Sequence, residues 1–166
     1  MRKIGIIAVL SLMALALAAV PAFAQGSPHF IKNATSASLS GANLVVNFKE
    51  AGLASGSVET VTVSATATTT YECVNNGGHN PSASNKTTTQ TEVSKSGTFT
   101  ADRSGNIVGT LTLSPPSAED LGFTCPPGQT VTFVSVTYTN VTVTDTTSGA
   151  TFSFPVDFSF TNPSAP

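Results

Sequence analysis

From Val61 to Cys73 the chain alternates without a break. Val61, Val63, Ala65, Ala67, Thr69, Tyr71 and Cys73 are apolar or weakly polar, and every residue between them is Thr, Ser or Glu. A two-residue period held this long is a β-strand with one face in a core, because the apolar positions of a helix recur at three and four. It also locks the register, since a slip by one residue would turn the whole apolar set toward water. Such a strand needs a second sheet to cover its inner face.

The rest of the chain supplies that sheet. Phe152, Phe154, Val156, Phe158 and Phe160 alternate with Ser153, Pro155, Asp157 and Ser159, which sets four aromatic rings on one face. Leaving them in water would forfeit roughly 1.5–3 kcal/mol per ring, so they are expected to pack against another sheet. Pro155 has no amide hydrogen and places this strand at an edge or at a local irregularity. Leu44, Val46 and Phe48 mark a further strand, as do Ile107, Gly109, Leu111 and Leu113. The run from Val131 changes phase twice: Val131 and Phe133 are odd, Val134, Val136 and Tyr138 even, Val141 and Val143 odd again. These changes predict bulges, or a strand covered on both faces. Thr87 to Lys95 is rich in β-formers and nearly free of apolar residues other than Val93, which predicts an exposed edge strand guarded by Lys86 and Lys95.

Turn chemistry separates the runs at Gly41-Ala42-Asn43, Ala51 to Ser57, Ser96-Gly97, Asp102 to Asn106 and Thr146 to Ala150. The expected fold is an all-β, antiparallel, immunoglobulin-like β-sandwich of about seven to nine strands with one disulfide. Residues 25–43 read as an N-terminal segment with a first strand inside Phe30 to Leu39. Residues 44–161 read as the sandwich, and residues 162–166 as a frayed end.

Residues 1–24 read as a secretory signal peptide. Arg2 and Lys3 give a positive start, Ile4 to Val20 are almost wholly apolar, and Ala22-Phe23-Ala24 is a small-x-small cleavage site, so the exported chain begins near Gln25. Without the leader it keeps five basic residues (Lys32, Lys49, Lys86, Lys95 and Arg103) against nine acidic ones. They form no basic stripe, which argues against nucleic acid as a partner and against an electrostatic membrane anchor. After cleavage no membrane association is expected, and the localisation read from the leader is secreted, extracellular. An oxidising exterior permits a bond between Cys73 and Cys125, which joins two irregular loops. Metal binding is the competing use of two cysteines, and neither a CxxC pair nor a His/Cys cluster supports it.

Tyr71 stands two residues before a cysteine, as in immunoglobulin domains, but before the first one, and there is no Trp to pack on the bond. Tyr71 therefore reads as a core or corner residue. Three stretches carry a resemblance: LVVNFKEAGL from Leu44, ATATTTYECVNNGGHNPSASNK from Ala65, and CPPGQTVTFVSVTYTNVTVTDTT from Cys125. They resemble small secreted bacterial proteins of unassigned function, with a YxC before an Asn/Gly loop and a CPxGQ before a long strand. The resemblance covers most of the exported chain, implies no activity and adds no site residues.

Chemistry is sparse. His29 lies near the new N-terminus and His79 in a Gly/Asn loop, and no GxSxG, HExxH, P-loop or dinucleotide motif occurs, so no enzyme is expected and no cofactor. Asp102 to Asn106 and Glu119-Asp120 offer oxygen ligands without an EF-hand spacing, and such residues are also what ordinary turns require, so no metal site is assigned. Asn33, Asn85 and Asn140 head glycosylation-type triplets that a chain rich in Asn and Thr produces by chance. The expected function is a non-catalytic extracellular binding or structural module using loops at one end of the sandwich. Asn75, Asn76, His79, Asn80 and Phe123 form its candidate binding loop, and its partner would be an extracellular protein, glycan or small molecule. The alternative is a secreted small-molecule carrier, because an Ala/Thr/Ser/Gly-rich sandwich with a leader resembles the actinomycete chromoproteins, although their second disulfide is missing. A third reading, a hydrolase or inhibitor, needs His79 within reach of an acid and a hydroxyl in a cleft.

The leader makes a direct prediction: expression of the complete chain in a bacterial host yields exported protein whose intact mass starts at or near Gln25. Retention of Met1 to Ala24 in that product contradicts it.

Overall fold

The structure is a computed structural model that describes residues 26–75 and 85–165. Among these residues there is no α-helix. Nine strands form two antiparallel sheets that pack together as a sandwich: β1 His29–Phe30, β2 Ser36–Ser40, β3 Asn43–Ala51, β4 Val58–Asn75, β5 Lys86–Thr100, β6 Ile107–Leu113, β7 Gln129–Asp145, β8 Thr151–Ser153 and β9 Phe158–Thr161. A 3-10 turn, Lys32–Ala34, separates β1 from β2. In the first sheet β3 is central, with β6 on one side and β1 and β2 end to end on the other. In the second sheet the order is β5, β4, β7, and β8 and β9 share the outer flank of β7.

The alternation of β4 becomes burial. Val61, Val63, Ala65, Ala67, Thr69, Tyr71 and Cys73 are all buried, and the first four share one core with Leu44, Val46, Phe48, Ile107, Leu111 and Leu113 of the first sheet. Full burial of each Val or Leu contributes about 1.5–3 kcal/mol. The outer face of the same sheet is a ladder of hydroxyls: Thr62 with Ser96 (2.8 Å), Ser64 with Thr142 (2.9 Å), Thr70 with Thr88 (3.0 Å) and Thr137 with Ser159 (3.0 Å). Cross-strand pairs of this kind add a few tenths of a kcal/mol each, about 0.2–1.

The two phase changes in β7 are two bulges. Ser64 pairs with Thr142 and Thr66 with Thr139, so one extra residue lies in β7 around Asn140, whose φ is 54°. Thr70 pairs with Ser135 and Tyr71 with Phe133, which leaves Val134 as the second extra residue. Each bulge moves the inward set by one position, so Val136 and Tyr138, then Val141 and Val143, are all buried.

The Phe-rich segment is interrupted. It pairs with β7 as two short strands, β8 and β9; Phe154 still donates to the Val141 carbonyl, and residues 155–157 leave the ladder. Phe152, Phe154, Phe158 and Phe160 pack against the core, whereas Val156, expected among them, sits in the interruption and is exposed. The edge strand expected over Thr87 to Lys95 is β5, and it is longer than the sequence suggested. The turn expected at Ser96-Gly97 is absent, since both residues lie inside β5. Gly97 makes room instead: a Cβ there would stand 3.0 Å from the ring of Phe99 and 3.1 Å from Leu111. The turns expected at Gly41-Ala42-Asn43, Asp102 to Asn106 and Thr146 to Ala150 are present, with Asn43 already opening β3.

Gly109 on β6 serves the core in the same way. Phe48 and Phe99 cross edge to face with centroids 5.1 Å apart, and a Cβ on Gly109 would lie 2.5 Å from each ring. Gly109→Ala is expected to destabilise the fold by about 1–3 kcal/mol through overpacking, read as a lower urea midpoint with an unchanged m-value.

Candidate functional site

The end of the sandwich where β4 stops carries the predicted disulfide. Cys73 lies near the end of the β4 ladder, opposite Val131, and its buried side chain bonds Cys125 with a Cα–Cα separation of 5.6 Å. The bond ties the core strand to residues 114–128, the connection from β6 to β7. That connection is internally braced. Asp120 accepts hydrogen bonds from the Ser117 amide (2.9 Å) and hydroxyl (2.6 Å), Phe123 donates to the Ala118 carbonyl (2.8 Å), and Gln129 donates to Pro126 (3.1 Å). The Ser117 donors hold the Asp120 carboxyl below the usual carboxylate range.

Tyr71 docks the same loop from beneath. It is buried, and its hydroxyl donates to the Pro116 carbonyl at 2.9 Å, the corner role its position suggested. Burial pushes the Tyr71 phenol up, and the nearby Asp120 charge adds to the shift. Phe123 lies 6.5 Å from the Tyr71 ring, Phe133 5.6 Å, and Phe160 stacks on Phe133 at 6.2 Å, so the loop rests on an aromatic floor. On the outer face, Glu72 is buried and pairs with Lys86 across β5 at 3.1 Å. Asn85 donates to Gln129 at 3.2 Å. Between the free edge of β5 and the loop runs an open groove of about 430 Å³, bordered by Val93, Lys95, Leu113, Pro115 and Asp120.

Of the predicted loop residues, Asn75 ends β4 opposite Gln129, and Phe123 is half-buried against Tyr71. Asn76, His79 and Asn80 lie outside the described residues, as does the leader. The turn at Asp102 uses its own acid: one carboxylate oxygen accepts from the amides of Asn106 (3.0 Å) and Ser104 (2.8 Å), which lowers its pKa. Among the described residues no group of three or more His, Cys, Asp or Glu side chains is arranged to hold a metal ion. No helix among them is long and apolar enough to cross a membrane.

The opposite end holds what sequence reasoning missed. Glu50 at the end of β3, Glu59 at the start of β4 and Asp145 at the end of β7 are buried acids in contact, with Asp145 between the two glutamates. Their signal was present, because each continues the apolar phase of its strand: Leu44-Val46-Phe48-Glu50, Glu59-Val61-Val63 and Val141-Val143-Asp145. An acid on the inward phase at a strand end is easily taken for a turn residue. Burial, reinforced by the Asp145 and Glu59 charges and opposed by the Ser148 hydroxyl, pushes Glu50 up to about 7. Burial also acts to raise Asp145, but hydrogen bonds from Thr147 and Ser148 outweigh it and leave Asp145 below its ordinary value.

In comparisons with known proteins, no family model, no curated protein and no solved structure matches this chain. Any functional reading therefore rests on the geometry of the two ends.

The disulfide generates a prediction. It closes a loop of 52 residues, so the Cys73→Ala/Cys125→Ala double variant should lose roughly 2–4 kcal/mol of stability. Equilibrium urea unfolding measures this, and an unchanged midpoint would show that the crosslink contributes nothing.

Proposed function

We propose that this chain works outside the cell as a non-catalytic binding or structural module, and that it meets its partner at the disulfide end. The single observation that carries this reading is the clamp. A covalent bond, the Tyr71–Pro116 hydrogen bond and an aromatic floor hold residues 114–128 against the end of two long paired strands. A surface segment held this firmly is suited to recognition, since little ordering entropy remains to be lost on binding. The crosslink itself accords with an oxidising, extracellular setting and with the leader read in the sequence. The partner class favoured is a protein or peptide, because the groove beside β5 offers a free strand edge with both apolar and charged borders. A glycan platform would want more exposed aromatic area than Phe123 presents.

The carrier alternative needs space between the sheets. Where Phe48 and Phe99 cross beside Gly109 that space is filled, which weighs toward the module.

Panning the exported chain against a random-peptide display library tests the reading, with a glycan array as the second arm. Enriched peptides should lose at least about tenfold in affinity to Phe123→Ala and to a variant whose residues 76–84 are replaced by a Gly/Ser loop of equal length. Enrichment on the glycan array alone would reassign the partner class. Binding equal in both variants, or no enrichment on either surface, would remove the proposal.

A further inference from the structure

We propose that Glu50 and Asp145, with Glu59 beside them, form a carboxyl cluster whose Glu50–Asp145 proton bridge latches the end of the sandwich opposite the disulfide, closed in mildly acidic surroundings and released as they turn alkaline. The three side chains come from β3, β7 and β4, so the cluster crosses from one sheet to the other. Each acid has one oxygen satisfied by the protein. Glu50 accepts from the Ser148 hydroxyl at 2.8 Å, Glu59 from the Ser57 hydroxyl at 2.5 Å, and Asp145 from the amides of Thr147 (2.8 Å) and Ser148 (3.3 Å). The other oxygen of each, Glu50 Oε2, Glu59 Oε2 and Asp145 Oδ2, is buried and has no donor.

Three orphaned oxygens in mutual contact cannot all carry charge. Like charges a few ångströms apart away from water repel strongly, and a buried anion without a donor carries a large desolvation cost. A proton on Glu50 relieves the arrangement: Glu50 donates to Asp145 Oδ2, and Asp145 remains the ionised acceptor that the Thr147 and Ser148 amides already favour. A cationic side chain could do the same work, but none among the described residues takes that place. The charged groups acting on Glu50 are Asp145 and Glu59, and its paired neighbours are Phe30 of β1 and Ile107 of β6. His29 of β1 is exposed and bonded to the Ser27 carbonyl, and Asp102 and Arg103 in the adjoining turn face solvent.

The latch holds two peripheral pieces. Ser148 fastens the 146–150 turn to β3, and Glu50 lies opposite Phe30, so strand β1 depends on the same corner. The N-terminal segment is pressed closely there: a Cβ on Gly52 would meet the Ser27 carbonyl oxygen at 2.5 Å. An open cavity of about 420 Å³, lined by Ser57, Glu59, Thr147 and Ser148, reaches the Glu59 side of the cluster, while Glu50 and Asp145 lie buried behind it.

The sign of the pH dependence comes from linkage. Glu50 titrates near 7 in the folded protein against an ordinary 4.5, so between these values the folded state holds a proton that the unfolded state has lost. Its contribution is complete below about 4.5 and is lost as pH rises through about 7. Asp145, lowered, acts oppositely and weakens the fold only as pH falls below its ordinary 3.8. Stability is therefore greatest in mild acid.

The experiment is thermal unfolding of the exported chain across pH, with hydrogen exchange at residues 28–30 and 146–150. Tm should be about 5 °C or more lower near pH 8 than near pH 5, with faster exchange in those two segments. Glu50→Gln, which keeps a donor toward Asp145 without a charge, should flatten that decline, whereas Glu72→Gln at the other end should leave it unchanged. If Glu50→Gln fails to fold, the wild type alone decides, by an infrared carbonyl band of protonated carboxyl persisting at about pH 6. A decline equal in Glu50→Gln and wild type, or no such band, would overturn the latch. Recovery of the alkaline loss by micromolar calcium, reversed by chelator, would overturn it in favour of a cation site.

Discussion

Strands β4 and β7 pair over almost their whole length, and the sandwich is organised around the single continuous inner face that results. β4 alternates without interruption, so it acts as the template. β7 matches it only by inserting two extra residues, near Asn140 and at Val134. Without those bulges one stretch of β7 would turn valines outward and threonines inward. With them, Val136, Tyr138, Val141 and Val143 all reach the same buried layer as Val61, Val63, Ala65 and Ala67. The first sheet closes over this layer through Leu44, Val46, Phe48, Leu111 and Leu113, and the glycines at 97 and 109 leave room for Phe48 and Phe99 to cross.

A long core of this kind has two ends, and they are finished with different chemistry. At roughly 3.3 Å per residue, Cys73 stands about 46 Å along β4 from Glu59. At the disulfide end, a covalent bond and a tyrosine corner secure a connection that crosses between sheets. At the carboxyl end, polar groups that cannot escape burial satisfy one another through hydroxyls and backbone amides. The flanks are managed differently again. β1 with β2, and β8 with β9, are edge strands cut in two, and β5 remains a long edge whose outward face is hydroxyl-rich. Short or interrupted edges limit pairing with other chains, which makes the uncut edge of β5 the more available one.

A two-residue period and local turn chemistry were enough to lay out most of the strands from the sequence. The strands around Val61, Leu44 and Ile107, the edge character of the Thr-rich run, the bulges in β7 and the break at Pro155 were all readable, because each depends on neighbours in the chain. The single pair of cysteines left one possible intrachain bond. Ser96-Gly97 misled, since a glycine that makes room for a ring across the sheet looks the same in sequence as one that makes a turn.

Which distant strand ends converge is a matter of tertiary packing alone. Asp145 is far from Glu50 and Glu59 in the chain, and each of the three taken singly is an ordinary acid beside a turn. Their meeting depends on strands from both sheets ending at one corner, and only that proximity, with water excluded, raises the affinity of Glu50 for its proton. The same holds for the clamped loop, where Tyr71, Phe123 and Pro116 come together because β6 hands over to β7 across the end of β4. Alternation says which way a side chain points, whereas what it points at is settled by the packing of one sheet on the other.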